Sequence, residues 1–171
     1  MFLEKKYAWA LIFLLLSFSA CGYRFAGSGN LPPGISSIHV NMFANNSRET
    51  GFENVITNDI IYEFTRKKKD SVAKSDQADG ILTGLVSSVR TDTIAREDAG
   101  TSLTRRINVS VNVKLTDRHG TVVWSEDNMT ESEAFDVVSG NVADELRRKD
   151  ALKNISKRLA EKIFNRLTED F

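Results

Sequence analysis

The sequence predicts an α+β fold, a two-layer sandwich with two helices packed on one face of a four- to five-stranded mixed sheet that carries a long antiparallel hairpin. Three observations predict it. Residues 103–116 alternate, with Leu103, Ile107, Val109, Val111, Val113 and Leu115 on odd positions and Thr104, Arg106, Asn108, Ser110, Asn112, Lys114 and Thr116 on even ones, so this strand has a core face and a wet face. Two segments carry helical stripes, Phe52, Val55, Ile56, Ile60 and Phe64 in one and Val142, Leu146, Leu152, Ile155, Leu159, Ile163 and Leu167 in the other. The order strand, helix, short strand, long strand, hairpin, helix then buries both stripes against one sheet face and leaves the even-numbered hairpin face open.

The chain begins with the three-part order of a bacterial secretory signal. Lys5 and Lys6 precede an apolar run at residues 7–18, and Ser19 and Ala20 are small. A spanning helix needs about 20 apolar residues, so the run is too short to be retained as one. Residues 1–20 are therefore expected to be removed, leaving Cys21, the single cysteine of the chain, as a lipid attachment point. The run into Cys21 matches the bacterial lipobox, in which the thiol receives a diacylglycerol, cleavage falls before it and the freed amine is acylated. Gly22 in place of Asp resembles the signal for sorting to the outer membrane. Residues 21–33, glycine-rich and ending in Pro32-Pro33, read as a lipidated tether, and 34–171 as a single domain.

Within that domain, Ile35, Ile38 and Val40 predict a first strand over 34–41, running toward Met42 and Phe43 and ended by Asn45-Asn46-Ser47. The first helix follows from Phe52, with Thr50 or Ser47 as N-cap and Glu53 at its positive end. Arg66 to Lys69 suit its negative end, either as a solvated terminus, the plainer reading, or as a polyanion-binding patch. A short strand is expected around Val72, then a polar loop to Asp79-Gly80. Residues 81–91 are apolar on both faces at Ile81-Leu82 and Leu85-Val86, which places that strand inside the sheet. Arg105 interrupts the apolar face of the next strand near its start. Asp117-Arg118-His119-Gly120 is a turn, and residues 121–124 open a return strand that runs polar toward Glu131, exposed or covered by another protein. The last helix spans 141–168, capped by Ser139 or Asn141, with Asp144 and Glu145 in its first turn.

Composition excludes several function classes. Basic and acidic residues balance at 23 each, which gives no global attraction to nucleic acid. His39 and His119, with one cysteine, are too few for a zinc site, and no calcium loop spacing occurs. No nucleophile stands beside a base, so no catalytic, cofactor-binding or metal-binding residue is assigned and no enzyme is expected.

The opening Cys21-Gly22-Tyr23-Arg24-Phe25, with Gly27, resembles the first mature residues of the LptE family of lipopolysaccharide-assembly lipoproteins. The similarity continues through Leu31-Pro32-Pro33-Gly34-Ile35, Ile38-His39-Val40, Phe43-Ala44-Asn45-Asn46 and the helix from Phe52. It extends through Ala78-Asp79-Gly80-Ile81-Leu82-Thr83-Gly84 and Leu115-Thr116-Asp117-Arg118-His119-Gly120 with Trp124. The resemblance implies an outer-membrane lipoprotein, lipid-anchored on the periplasmic side, that plugs the LptD β-barrel, supports its assembly and binds lipopolysaccharide on its way to the outer leaflet. Its partners would be an LptD-like barrel, lipopolysaccharide and, through the anchor, the membrane. It would need no cofactor beyond the covalent diacylglycerol and N-acyl chain on Cys21. The polar hairpin face suits a hydrophilic barrel lumen. Lipopolysaccharide phosphates suit arginine, so Arg96, Arg105 and Arg106, near the 92–102 loop, are nominated as possible lipopolysaccharide contacts. A second class stays open, a different lipoprotein adaptor serving barrel insertion or a cell-wall synthase.

Overall fold

The computed structural model describes residues 30–96, 103–137 and 141–169. Its sheet is built outward from β3 (Gly80–Arg96). Along one edge of β3 lie β1 (Ile38–Val40) and β2 (Ala44–Asn45), both parallel to it, with Ile38 opposite Gly80 and Ala44 opposite Leu85. On the other side, β4 (Leu103–Asp117) and β5 (Val122–Val137) follow antiparallel, so the sheet has five strands and is mixed. Parallel neighbours need a crossover, which α1 (Phe52–Lys67) supplies; α2 (Asn141–Glu169) returns from the far end of β5.

Alternation in β4 is as its residues dictate. Ile107, Val109, Val111, Val113 and Leu115 are at most 2% exposed, while every even position from Thr104 to Thr116 is part-exposed or exposed. The inner face meets Phe52, Ile56, Ile60 and Phe64 of α1 and Leu152, Ile155, Leu159, Ile163 and Leu167 of α2 in one core. The two helices run in the same direction, with Asp59 beside Ser156 and Phe64 in edge-to-face contact with Phe164 at 5.0 Å.

Several expectations shift. The central strand runs to Arg96 instead of ending at 91, and the return strand reaches Val137, because both stay paired to β4 where their own residues are polar. A bulge between Val86 and Ser88 resets the alternation of β3, so that Val86 and Val89 both oppose valines of the inner face, Val111 and Val109. The strand expected around Val72 is a single bridge to Ile38, since the chain has left a turn at Ser71 and enters another at Lys74.

The N-cap of α1 is Gly51, at φ 91°, rather than Thr50 or Ser47. Ser47 instead turns its N–H and hydroxyl onto Asn45 Oδ1. Glu53 reaches back to accept the Gly51 N–H at 3.0 Å and the Asn45 amide at 2.6 Å. The Asn45 bond, foremost, holds the Glu53 carboxyl below its ordinary range. Finally, Val142 (77% exposed) and Leu146 (59%) belong to the α2 stripe but not to the core. Burial in α2 starts at Ala151; one turn before it, Arg148 pairs with Glu49 in the segment that leads into α1. The cap expected at Ser139 lies outside the described residues.

Candidate functional site

The open face of the sheet is a set of polar rows laid across three strands by their register. Arg106 stands between Asp92 and Ala134, Asn108 between Arg90 and Ser132, Ser110 between Ser88 and Thr130, and Lys114 between Thr83 and Ser125. These side chains bond to one another and to the backbone rather than to a covering layer. Asn108 Nδ2 donates to Asp92 Oδ2 at 3.1 Å, Thr104 Oγ1 to Asp136 Oδ1 at 2.9 Å, and the Asn128 N–H to Asn112 Oδ1 at 2.9 Å. Toward the turn end the face has a depression of about 390 Å³, whose lining includes Leu85, the exposed Val122, Lys114 and Asp127. A face of this kind can exchange hydrogen bonds with a second polar surface or with water, and bring little apolar area to it.

At the far end of the sheet, residues 90–95 and 105–106 are all exposed. Here the nominated arginines part company. Neighbouring residues of a strand point to opposite faces, so Arg106, opposite Asp92, lies on the open face, while Arg105, opposite Thr93 and Phe135, lies on the helix side. Neither forms an ion pair among the described residues. The backbone of Arg96 pairs with Leu103; its side chain, like the whole of Cys21, lies outside the described residues. The cation that the open face sets diagonally across from Arg106 is Arg90, with Asp92 in the same strand. Sequence reasoning missed it, because only the hairpin register places position 90 opposite Asn108.

Among the described residues no group of His, Cys, Asp or Glu could hold a metal ion, and no buried side-chain nitrogen or oxygen lacks a partner. His39 Nδ1 is hydrogen-bonded to the Ala73 carbonyl at 3.1 Å, and His119 lies in the exposed 117–121 turn. The buried Glu63 is held by the Arg66 guanidinium through both its oxygens. None of the described helices is long and apolar enough to cross a membrane.

Comparison with known proteins supplies what the geometry lacks. A family model described as LptE, lipopolysaccharide-assembly, matches residues 35–167. A search of curated proteins by sequence finds no match. Among solved structures, a minor lipoprotein from Acinetobacter baumannii is similar at TM-score 0.56 and 11% identity, over 79% of this chain and 94% of that one. Lipoprotein B from Nitrosomonas europaea is similar at TM-score 0.56 and 13% identity, over 86% and 90%. A lipoprotein from Caulobacter crescentus is similar at 0.51 and 15%, over 75% and 88%. At these identities the likeness is one of fold.

Proposed function

Because the chain belongs to the LptE lipopolysaccharide-assembly family, we propose that it is an outer-membrane lipoprotein, anchored on the periplasmic side through acyl chains on Cys21, that plugs and assists assembly of an LptD-type β-barrel during lipopolysaccharide transport. The observation that carries the reading is the open sheet face. A wide barrel has a polar lumen, and a plug must meet it with hydrogen-bonding groups spaced along strands rather than with an apolar patch. Rows from Thr104 and Asp136 down to Lys114 and Ser125 meet that requirement.

In this reading the protein is an assembly and binding partner rather than an enzyme, and it uses no cofactor other than its acyl chains. Lipopolysaccharide phosphates would meet the far end of the sheet, where Arg106 lies on the open face and Arg105 behind it, with Arg96 at the end of β3. The test is photo-crosslinking in cells from positions on each face. A crosslinking residue at Ser110 or Asn108 is expected to capture a large outer-membrane barrel, and one at Lys157, on the outer side of α2, to do so far less. A chain that yields no barrel adduct from any hairpin position overturns the proposal.

A further inference from the structure

The first described residues enter at one end of the domain. Leu31 is buried, Ile35 packs on Gly80 at the start of β3, and the N–H groups of Ser36 and Ser37 bond to Asp79. The same end receives the C-terminus of α1, since the Ser71 N–H bonds to the Lys68 carbonyl and the Ile38 N–H to the Ser71 carbonyl. Lys67 and Lys69 are exposed and Lys68 is part-exposed, and Lys74 is exposed on the loop that Arg118 ties down through the Gln77 and Ala78 carbonyls. None of these lysines is in an ion pair among the described residues.

The helix dipole explains only part of this set. Its effect fades within the last turn, and α1 ends at Lys67 with Lys68 as cap, so Lys69 and Lys74 lie beyond it. The nearby charges oppose the lysines incompletely. Glu63 is taken by Arg66 and Asp79 by Arg118, leaving Asp70, Asp76 and Asp117 against the four lysines.

On the reading that Cys21 is lipidated, residues 21–30 can span at most about 35 Å when extended. The end that carries the lysines is thus kept within that reach of the membrane. We propose that this end docks on anionic phospholipid headgroups of the leaflet that holds the acyl chains, through Lys67, Lys68, Lys69 and Lys74. A lipid anchor and a basic patch acting together fix both attachment and orientation, and the electrostatic part acts only within a Debye length of the surface.

The experiment is amine footprinting by mass spectrometry of the lipidated protein held by its acyl chains in nanodiscs. Discs of phosphatidylcholine alone are compared with discs containing phosphatidylglycerol, at low and high salt. Labelling at Lys67, Lys68, Lys69 and Lys74 is expected to slow several-fold in the anionic discs and to recover at high salt, while Lys114 and Lys153 stay unchanged. Equal labelling in both discs, or equal protection in both, overturns the proposal. Stronger protection by discs containing lipopolysaccharide in place of phosphatidylglycerol overturns the choice of phospholipid. A mature N-terminus without acyl chains in the intact mass instead refutes the lipid reading on which the geometry rests.

Discussion

A Cβ added to Gly84 would stand 2.1 Å from the ring of Phe43, so glycine here is a matter of space. Phe43, 2% exposed, crosses the β3 backbone at this point and joins the β1–β2 edge to the core, while its N–H bonds to the Thr57 hydroxyl at 3.1 Å. Gly84→Ala is expected to destabilise the protein by about 1–3 kcal/mol in urea unfolding. In a Phe43→Ala background the same change should cost nearly nothing, and additivity of the two would refute the packing account. Asp79 makes a second residue-scale prediction. The Ser36 N–H first, then the Ser37 N–H and the Arg118 guanidinium, hold its carboxyl below the ordinary aspartate range. A carboxyl with a folded pKa below its unfolded value, about 4, gives stability above that value and loses it as pH falls through the folded pKa. Asp79→Asn should therefore flatten the acid limb of a stability-versus-pH curve below about pH 4 and leave its shape near neutrality. An acid limb as steep as that of the unmodified protein would remove Asp79 from the acid response.

Among elements, β5 faces the problem of every edge strand, an unpaired row of backbone groups. α2 answers it with two cations. Lys162 Nζ donates to the Thr130 carbonyl at 3.0 Å and Arg158 Nη2 to the Ser132 carbonyl at 2.8 Å, and both cations pair with Glu131. Arg158→Ala with Lys162→Ala should cost only about 1 kcal/mol, as part-exposed ion pairs do, yet should raise concentration-dependent self-association by uncovering the edge. Light scattering that shows no added association would sink the edge account. These contacts mark the limit of what a sequence carries. Alternation in β4 was legible because one face is buried along its whole middle, and register then fixes which neighbours Arg106 meets. The split between Arg105 and Arg106 followed from the same alternation, whereas the diagonal placement of Arg90 did not, because the bulge near Ser87 shifts the count along β3. Helix periodicity likewise exposed the α2 stripe but not its unburied start at Val142 and Leu146, since periodicity says which side is apolar and not where a partner helix begins.

At the scale of the molecule, the described domain closes its own core. Leu31 is its first buried side chain and Leu167 its last large one, and the ring contact of Phe64 with Phe164 ties the helices together. The polar rows that we propose for the barrel lumen belong entirely to β3, β4 and β5. On the proposed function, an acyl anchor on Cys21 would serve delivery and orientation. Two outcomes follow for the loss of Cys21. In cells, Cys21→Ser should leave an unprocessed, unlipidated precursor, visible as a larger intact mass, and a normally processed membrane-bound product would refute the attachment site. In vitro, a chain secreted through an ordinary cleavable signal and lacking Cys21 should still bind a purified LptD-type barrel, with affinity within a few-fold of the lipidated form. Because the barrel contact proposed here is a rigid sheet face, affinity lost with the lipid would mean that the acyl chains themselves sit in the interface.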